Sequence, residues 1–541
     1  MEKSYKDICK WFNIQIFKRV LAVFLCIVSL PIFGYELSIL HTNDIHGRIV
    51  PIDYKGQNLG GWARRASKIK ELKTTCKNTL LIDSGDLAQG SIYYQLFDGV
   101  PDVNFLDMTE YDAICIGNHE LDKGIDSFEN LTKLTNVPFL GANLEFKDNF
   151  YLNGKIRSHI IKNYDGFTVG IIGMTTPDLL DLRINKDKIA LSNYDRTLQF
   201  FVDYLRNNVD LIVLLSHSGL ARDIQTAKTI QGIDVIVGGH SHDLLEEPLV
   251  VNNCNRKVLI VQAGEFGTKL GKLDIEFDKT GIKSFKGALI PLDATIENDS
   301  KIQKKINEIH KDVEILKTQK IATTKVKIDL TTKNLRMGLV NSGAMILDAL
   351  KRVSPDSDIA IMNSGSIRGN KIIPKGIITK YEIMEILPFN NKIAETEMTG
   401  FGIKSLLERA VQDMSVQNPY SRNFLQTKGL SYTIELSEES LKYDAGSKKL
   451  LKEGNRIKNI TINNKPIEMG KKYKVITNEF LAGGGDGFFQ FKDENMTKNT
   501  IIKDYTVTNA VCDYLKNAKK IAPCVTDTVS LSKPLKEPTL E

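Results

Sequence analysis

Apolar runs that stop abruptly at polar residues recur along the first half of the chain. The pattern is clearest in five segments, ELSILHTNDIHG, TLLIDSGDLAQG, YDAICIGNHELD, VDLIVLLSHSG and IDVIVGGHSHD. Each run is short and rich in Val, Ile and Leu, which is typical of a β-strand buried on both faces. Segments with helical periodicity, such as WARRASKIKELKTTC and RTLQFFVDYLRNN, lie between several of them. This alternation predicts an α/β layered fold.

The polar residues that end these runs are of types that bind metal ions. Ligands bind at the carboxyl ends of strands in open α/β sheets, so five strand ends in one sheet could converge on one cleft. Five of the eight histidines of the chain lie in these loops. A single histidine after a strand is more often a capping or hydrogen-bonding residue, but that explanation does not account for all five loops together. The candidate metal ligands are Asp44, His46, Asp86, Asn118, His217, His240 and His242.

These seven side chains offer carboxylate, imidazole and amide donors without sulfur. They exceed the three protein ligands and one water of a typical catalytic zinc site. Two ions that share a bridging carboxylate would use all of them, and ions about 3.5–4 Å apart recur in enzymes that hydrolyse phosphate esters. The mixed nitrogen and oxygen donors suit zinc, manganese, cobalt or iron better than magnesium or calcium. The sequence therefore predicts a pair of divalent ions drawn from these four metals.

Two residues beside the candidate ligand Asn118 are suited to proton transfer. His119 could donate to the phosphate or to the leaving group, and Asp122 could orient that imidazole and raise its pKa. A water with a pKa lowered by the ions would attack phosphorus in line with the leaving oxygen. Nearby cations would offset the charge on the transferring phosphoryl oxygens. His119 and Asp122 are the predicted catalytic residues.

The first 34 residues differ in composition from the rest of the chain. A basic stretch that ends at Lys18-Arg19 precedes about 14 apolar residues, fewer than the roughly 20 of a membrane span, and Gly34 follows. This order predicts a cleaved secretory signal peptide, with an uncleaved anchor or a lipoprotein modified at Cys26 as alternatives. The remainder has a net charge of only about +3, which argues against a nucleic acid polymer as partner, and no second apolar run long enough for a stable membrane span. We expect a periplasmic, extracellular or cell-surface protein of unknown oligomeric state.

Taken in order, DIHG, GDLAQG, GNHELD, SHSG and GGHSH resemble the motifs of calcineurin-like metallophosphoesterases. From about residue 36 to about residue 514 the chain resembles the two-domain secreted 5′-nucleotidase family, which includes bacterial UDP-sugar hydrolases. The resemblance implies a four-layer β-sandwich flanked by helices, joined by a helix to a smaller α/β substrate-binding domain. It also implies that Asp86 bridges the two ions and that His119 and Asp122 are catalytic. The other implied ligands are Asp44, His46 and His242 for one ion, and Asn118, His217 and His240 for the other.

The domain limits are expected from this resemblance and from a change in composition. They are a signal peptide at residues 1–34, a catalytic domain at 35–297, a helical linker at 298–325 and a substrate-binding domain at 326–535. The linker contains the charged helical run NDSKIQKKINEIHKDVEILKTQK, which by itself could be a solvated surface helix.

Three stretches of the second half contain candidate substrate-binding residues. IAIMNSGSIRGN places Arg368 after a strand and resembles the family's N-G-G-x-I-R motif. The resemblance implies that this arginine helps to bind the phosphate of the substrate, to which its fixed donor fork is suited. SRNFLQTKG contains Phe424, and VITNEFLAGGGDGFFQF contains Phe480 and Asp486. Taken singly, each Phe is more often a core residue, and GGGDG more often a flexible turn or an anion-binding loop. The resemblance implies that the two rings stack on a nucleobase, that Asp486 accepts hydrogen bonds from ribose hydroxyls and, less strongly, that Asn391 contacts the base or sugar.

The predicted function is the hydrolysis of 5′-nucleotides to nucleosides and phosphate by an exported enzyme with two metal ions. UDP-sugars or 2′,3′-cyclic nucleotides are alternative substrates for the same centre. A different class of alternative is a nucleotide-binding surface protein without turnover. A pure binder would not need both the His119–Asp122 pair and the full ligand set, so we favour the enzyme.

Overall fold

The computed structural model describes residues 34–87, 89–180, 187–254, 256–443 and 450–532. The predicted signal peptide, residues 1–34, lies outside these ranges except for its last residue. Within them, no helix combines the length and the apolar character that crossing a bilayer requires.

The first half of the chain alternates strands and helices. Its strands are β1 (Tyr35–Thr42), β2 (Ile52–Tyr54), β3 (Gln57–Leu59), β4 (Thr79–Asp83), β5 (Ala113–Cys115), β6 (Phe139–Leu140), β7 (Leu144–Phe146), β8 (His159–Tyr164), β9 (Phe167–Thr175), β10 (Ile189–Leu191), β11 (Leu211–His217), β12 (Val235–Val237), β13 (Leu249–Asn253), β14 (Arg256–Val261), β15 (Lys269–Asp278) and β16 (Gly281–Pro291). Its helices are α1 (Trp62–Thr75), α2 (Ile92–Phe97), α3 (Val100–Thr109), α4 (Ile125–Lys133), α5 (Phe150–Lys155), α6 (Tyr194–Arg206) and α7 (Leu220–Thr229).

Two six-stranded sheets pack face to face in this half. Their strand orders are β16-β15-β1-β4-β5-β6 and β13-β14-β12-β11-β9-β8. Ile39 and Ile82 of the first sheet share a buried cluster with Val213 and Leu215 of the second. The alternate residues point outward, and Leu40 packs in a separate cluster with residues of α1 and α3. The predicted α/β layered fold is confirmed, with helices on the outer faces of both sheets.

The five segments with polar ends correspond to β1, β4, β5, β11 and β12. The expectation that they belong to one sheet is wrong, because β1, β4 and β5 lie in the first sheet and β11 and β12 in the second. These strands are parallel within each sheet, so their carboxyl ends lie at one edge of each sheet. The sandwich brings these two edges together: Nε2 of His217, in β11, lies 3.3 Å from Oδ2 of Asp86, after β4.

A long helix, α8 (Ser300–Thr318), connects the two halves. Its N-cap is Asp299, whose carboxylate accepts hydrogen bonds from the N–H groups of Lys301 and Ile302, both at 3.0 Å. The helix is not fully solvated, because its apolar face packs in the cluster that covers the first sheet. Its buried residues are Ile302, Ile306, Val313 and Leu316.

The second half is a smaller α/β unit. Its strands are β17 (Lys320–Thr324), β18 (Ile328–Asp329), β19 (Ile359–Asn363), β20 (Ile372–Ile373), β21 (Gly376–Thr379), β22 (Lys392–Thr399), β23 (Leu425–Lys428), β24 (Leu430–Ile434), β25 (Lys442–Tyr443), β26 (Leu450–Lys452), β27 (Ile457–Ile462), β28 (Lys465–Pro466), β29 (Lys472–Asn478), β30 (Thr497–Thr506), β31 (Lys520–Ile521) and β32 (Val529–Leu531). Its helices are α9 (Thr332–Leu335), α10 (Asn341–Val353), α11 (Lys380–Ile386), α12 (Gly400–Ala410), α13 (Glu479–Ala482) and α14 (Val507–Ala518).

A five-stranded mixed sheet, in the order β23-β19-β29-β22-β30, forms the centre of this unit. Alternate residues of β19 enter two different cores: Ala360 and Met362 pack with α10 and α14, whereas Ile359 and Ile361 pack with α12. The second half also contacts the first directly, because Nε2 of Gln95 donates a 2.8 Å hydrogen bond to the carbonyl of Met384 in α11.

Candidate metal centre and substrate site

The loops after β1 and β4 are tied together by their backbones. The N–H of Asp44 donates to the carbonyl of Gly85 at 2.9 Å, and the N–H of His46 donates to the carbonyl of Asp86 at 3.0 Å. These bonds continue the pairing of β1 with β4 past the ends of both strands. Asp44, His46 and Asp86 are therefore held at fixed positions relative to one another.

Asp44, His46 and His242 form the first group of metal-ligand atoms, all within 4.8 Å of one another. Nε2 of His242 lies 3.3 Å from Oδ1 of Asp44. The two imidazoles approach each other edge to face, with their Nε2 atoms 3.2 Å apart. Asp44 is fully buried, so charge on this group is poorly screened by water.

Asp86, His217 and His240 form the second group, also within 4.8 Å. The amide of Asn118 belongs with it, since its Oδ1 lies 3.2 Å from Nε2 of His217 and 2.9 Å from Nδ1 of His240. Oδ2 of Asp86 is 3.9 Å from Nε2 of His46, a member of the first group. The structure thus brings all seven predicted ligands together, with Asp86 between the two groups.

The electrostatics of these groups fit divalent cations. Burial lowers the pKa of His217, but the charge and the hydrogen bond of Asp86 outweigh it and raise the pKa to about 10. Burial likewise opposes charge on His242, whose pKa rises to about 10 because of Asp44 and Glu265. The buried carboxylates therefore stabilise positive charge at these nitrogens. A divalent ion supplies that charge while requiring the imidazoles to be neutral, so metal binding would release the protons.

Each imidazole of the second group, and His242 of the first, uses its other nitrogen to contact a fixed oxygen. Nδ1 of His217 donates to the carbonyl of Ser84 at 2.7 Å, and Nδ1 of His242 lies 2.7 Å from Oε2 of Glu265. Nε2 of His240 lies 3.2 Å from Oδ2 of Asp178. Such contacts set the tautomer and the ring orientation of metal-binding histidines. These contacts favour the presentation of a lone pair by the rings of His217, His240 and His242, whereas Nδ1 of His46 is buried without a hydrogen-bond partner among the described residues.

The backbone at the ligands is strained. Five of the seven ligands have a left-handed backbone conformation, which is costly for residues other than glycine and persists where the surroundings enforce it, often at functional sites. These five are Asp44 (φ 50°), His46 (φ 52°), Asp86 (φ 55°), His240 (φ 75°) and His242 (φ 59°). The strain supports a functional rather than a purely structural role for these loops.

The predicted catalytic pair also lies at this edge. Nδ1 of His119 is 2.7 Å from Oδ2 of Asp122, and the His119 ring centroid is 5.5 Å from that of His46. The backbone N–H of His119 donates to Oδ1 of Asp86 at 2.9 Å. Burial lowers the pKa of His119, but the charges of Asp122 and Asp86 outweigh it and raise the pKa to about 9.

Two of the predicted substrate residues lie close together in the second half. Arg368 is exposed after β19, with its guanidinium 5.0 Å from the centroid of the Phe389 ring. Asp486 accepts a 2.8 Å hydrogen bond from Nδ2 of Asn363 and has a left-handed backbone. Arg368 interacts electrostatically with Asp486 and also with Glu265, which contacts the ligand His242. Arg368 is therefore electrostatically coupled to a residue that contacts a metal ligand.

The two phenylalanines predicted to stack on a base differ in accessibility. Phe480 is half-buried, and its ring occupies the space that a Cβ at Gly485 would need. Phe424, which the resemblance places against the base, is fully buried in the core around α12 in this conformation. Phe424 directly precedes β23, and packing under the sheet determines its position. Asn391 is half-buried, and its carbonyl accepts a hydrogen bond from the N–H of Val507 at 2.9 Å.

Comparison with known proteins identifies the family. The sequence model described as calcineurin-like phosphoesterase matches residues 37–244, and that described as 5′-nucleotidase, C-terminal domain, matches residues 320–493. The chain is 31% identical over 561 residues to the snake venom 5′-nucleotidase of Crotalus adamanteus, and the alignment covers 94% of this chain and 90% of that protein. The chain belongs to the 5′-nucleotidase family. It is a metal-dependent phosphoester hydrolase, as the motifs predicted.

Two other proteins are similar to this 5′-nucleotidase family member, one in structure and one in sequence. The crystal structure of the 5′-nucleotidase precursor from Thermus thermophilus has a TM-score of 0.74 and 30% identity, covering 92% of this chain and 100% of that chain. The trifunctional nucleotide phosphoesterase YfkN of Bacillus subtilis is 28% identical over 535 residues, which are 91% of this chain. The match spans only 34% of that relative's length.

Glu120 is a residue of the metal-ligand site of this 5′-nucleotidase family member that the sequence patterns did not predict. Glu120 is buried next to the catalytic pair, and its carboxylate accepts three backbone hydrogen bonds, from Gly117 (2.6 Å), Asp86 (3.2 Å) and Leu87 (2.8 Å). It thereby ties the loop of Asp86 to the loop of Asn118. Its place in GNHELD, between His119 and Asp122, was the only available signal. A carboxylate in a loop is usually solvated, so that signal was weak.

Glu120→Gln tests this tie. The amide cannot accept from all three backbone donors, so we expect a loss of about 1–3 kcal/mol in the free energy of unfolding. We also expect metal affinity to fall by about 10–100-fold, the usual cost of losing a group that orients ligands. Thermal unfolding and metal titration measure the two effects. Glu145→Gln, at an exposed position, is the matched control; equal effects in both variants would contradict the role of Glu120.

Proposed function

We propose that this chain is an exported phosphohydrolase with two metal ions that hydrolyses 5′-nucleotides to nucleosides and phosphate. The observation that carries the proposal is the juxtaposition of two ligand groups around Asp86 with the His119–Asp122 pair. Arg368 of the second half interacts electrostatically with Glu265, which contacts the ligand His242, and with Asp486. The apolar segment before Gly34 and the similarity to a snake venom enzyme support export.

The proposed division of the chain places a catalytic domain at residues 35–297, a linker at 298–325 and a substrate-binding domain at 326–535. The separate hydrophobic cores of the two halves support it, as do the family matches at 37–244 and 320–493. The linker would correspond to α8 and the residues on either side of it.

The seven ligands would hold two ions of zinc, manganese, cobalt or iron. When bound, the ions would offset the negative charge of the phosphate and lower the pKa of the attacking water. The contribution of the chain is a rigid arrangement of donors, fixed by backbone hydrogen bonds and by oxygen contacts to the outer nitrogens of the imidazoles. Asp44, His46 and His242 would hold one ion, Asn118, His217 and His240 the other, and Asp86 would contact both.

The role proposed for His119 is to hold a proton where the phosphate or the leaving oxygen can receive it. Asp122 accepts the hydrogen bond of Nδ1, so Nε2 is the nitrogen left to face the substrate. Burial lowers the pKa of His119, whereas the charge and the hydrogen bond of Asp122 raise it and favour the protonated ring. A proton donor positioned in this way contributes about 10²–10⁴-fold to the rate.

The nucleoside would bind in the second half. Arg368 would contact the phosphate with its planar fork, and Asp486 would accept hydrogen bonds from ribose hydroxyls. Phe480 would stack on the base, and Asn391 is a weaker candidate for contact with the base or sugar. Phe424 could join Phe480 only by leaving the core in which it is buried.

A direct assay tests the proposed function. The metal-loaded protein, with manganese or cobalt added, is incubated with AMP, UDP-glucose and 2′,3′-cyclic AMP side by side. We expect AMP to be hydrolysed with the highest kcat/KM. A higher kcat/KM for UDP-glucose or for the cyclic nucleotide would select one of the alternative substrates. If none of the three is turned over, the proposed hydrolysis of 5′-nucleotides fails.

Asp486→Asn tests the ribose contact. The amide is a weaker acceptor than the carboxylate, so we expect KM for AMP to rise by about 10-fold, the lower end of the range for a hydrogen bond to a charged group, with a smaller change in kcat. The same measurement with 2′,3′-dideoxy-AMP provides the control, because this substrate lacks the two hydroxyls. If Asp486→Asn raises KM equally for both substrates, Asp486 does not contact the ribose hydroxyls.

A further inference from the structure

The loop that follows β14, residues 262–268, contains none of the predicted metal ligands but lies against two of them. β14 is a parallel neighbour of β12 in the second sheet, so its carboxyl end lies at the same edge as the loop of His242. Glu265 of this loop contacts Nδ1 of His242. The next residue, Phe266, has its ring centroid 5.9 Å from that of His46 and 6.4 Å from that of His242.

His46 lacks the kind of contact that orients the other imidazoles of the two groups. Its Nδ1 is buried and has no hydrogen-bond partner among the described residues. In contrast, the rings of His217, His240 and His242 each place their second nitrogen next to an oxygen. Because the last side-chain torsion of histidine has broad minima, something other than a hydrogen bond must fix the orientation of the His46 ring.

Aromatic rings surround the imidazole of His46. Its neighbours include His242 (5.2 Å between centroids), His119 (5.5 Å) and Phe266 (5.9 Å), all in edge-to-face contact. This geometry and these distances are favourable for aromatic pairs. His242 and His119 have proposed roles of their own, as ligand and as proton donor. The side chain of Phe266 has no group that could bind an ion or transfer a proton, so packing is the contribution that it can make.

The backbone of Phe266 is strained where it meets the first group. Its φ is 61°, a left-handed conformation that is an outlier for a bulky residue. Its N–H donates a 2.7 Å hydrogen bond to the carbonyl of Asp44, a predicted ligand. Gly264 (φ 78°) and Gly267 (φ 58°) are also left-handed, which glycine tolerates. Such strain at a larger residue persists where the surroundings enforce it, often at functional sites.

Contacts with two further residues fix the Phe266 ring in place. The guanidinium of Arg48 lies 4.8 Å from the ring centroid, and the ring of Tyr54, in β2, lies edge to face at 6.3 Å. Arg48 follows His46 by two residues, and the hydroxyl of Tyr54 donates to Oε1 of Glu265 at 3.3 Å. The segments that carry and orient the first group of ligands therefore also hold the phenylalanine ring.

We propose that Phe266 is a positioning residue of the first ion site, where the packing of its ring on His46 takes the place of the missing hydrogen bond. The ring limits rotation of the imidazole, so that Nε2 of His46 stays near Asp44 and His242, 4.0 Å from Oδ1 and 3.2 Å from Nε2 respectively. The inference rests on the two-ion centre of the proposed function and deepens it. Loss of the ring should weaken the first site and spare the second, whose histidines contact oxygens.

The test compares Phe266→Leu with Phe266→Tyr by calorimetric titration of the metal-free protein with manganese alone. Leucine removes the ring but remains apolar, so we expect the affinity for one of the two ions to fall by about 10-fold, the lower end of the range for groups that orient ligands. Tyrosine keeps the ring and should restore most of that affinity. Phe201→Leu is the matched control, because Phe201 is a half-buried phenylalanine that packs on His159, which is not a predicted ligand; both affinities should be unchanged.

Diffraction assigns the affected ion to a site. In crystals of Phe266→Leu equilibrated with limiting manganese, the anomalous peak at the first group should be weaker, relative to the peak at the second group, than in the unaltered protein. Crystals of the unaltered protein grown without metal and with it give a measurement that does not depend on whether a variant folds. We expect the His46 ring to keep its orientation against Phe266 within about 20°, the tolerance of a preorganised site.

Four results would overturn this role of Phe266. They are unchanged affinities in Phe266→Leu, a loss that is equal at both sites or confined to the second, a loss in Phe266→Tyr as large as that in Phe266→Leu, and a His46 ring that turns further than this when the ions bind. If the unaltered protein does not bind two ions at the predicted ligands, the two-ion centre of the proposed function itself fails. Two ions that bind normally in Phe266→Leu refute only the positioning role.

Discussion

Replacing His119 with alanine is expected to lower kcat for AMP by about 10²–10⁴-fold, the range for loss of a positioned acid or base. Nδ1 of His119 lies 2.7 Å from Oδ2 of Asp122. The other histidines described at this site are themselves predicted metal ligands. The imidazole supplies a proton and holds no ion in the proposed scheme. The variant should therefore retain its metal content while it loses turnover.

Steady-state kinetics and metal analysis of the same His119→Ala preparation check both parts of this prediction. His159→Ala is the control, because His159 is a half-buried histidine of β8 that packs on the ring of Phe201, 5.6 Å away between centroids. Its kcat should stay within about twofold of the original, as for most substitutions away from special features. A loss below tenfold in His119→Ala would show that this imidazole does not take part in the chemical step.

Asp86→Asn is expected to reduce both metal content and activity. Asp86 is the one ligand between the two groups, since its Oδ2 lies 3.3 Å from Nε2 of His217 and 3.9 Å from Nε2 of His46. The substitution keeps the size of the side chain and removes its charge. Metal stabilisation of the transition state is worth several kcal/mol, so kcat should fall on the order of 10³-fold or more. Metal per chain should fall from two ions to one or none.

Metal analysis after dialysis, together with an activity titration against added manganese, measures this effect. Asp203→Asn provides the control, because Asp203 is an exposed residue of α6 and the substitution changes the charge by the same amount. Full metal content and near-normal turnover in Asp86→Asn would contradict a bridging role. Restored turnover at high manganese would instead show that Asp86 sets affinity for the ions and little else.

Much of the first half follows from local pattern. Residues such as Ile39 and Leu40 alternate between two cores, which requires only the two-residue repeat of a strand with both faces buried. A ligand that directly follows such a strand must lie at its carboxyl end. Because β1 and β4 are parallel neighbours, the loops that follow them, with Asp44 and Asp86, lie side by side and are joined by backbone hydrogen bonds.

The arrangement of strands into sheets was not predictable in the same way. β4 and β11 have the same apolar character, yet they belong to different sheets that pack face to face. Local hydrophobicity reports that a strand is buried but not which neighbours bury it. The sequence analysis expected Asp86 and His217 to converge at the edge of a single sheet. They do converge, but because the edges of two different sheets meet in the sandwich.

Contacts between side chains and the backbone of other loops could not be predicted from the sequence either. Glu120 is buried because three N–H groups from two loops converge on it, and that convergence exists only in the folded chain. Phe424 is a second example, because the family resemblance implies that its ring stacks on a base, whereas in this conformation the ring is enclosed in the core around α12.

The most direct test of the central claim is X-ray diffraction from crystals grown with manganese or zinc, with anomalous scattering used to locate the ions. We predict two anomalous peaks about 3.5–4 Å apart, the spacing of paired catalytic ions, with the Asp86 carboxylate in contact with both. One peak should be bound by Asp44, His46 and His242, and the other by Asn118, His217 and His240. A single peak, or two peaks of which either lies away from these ligands, would contradict the two-ion centre and the proposed mechanism.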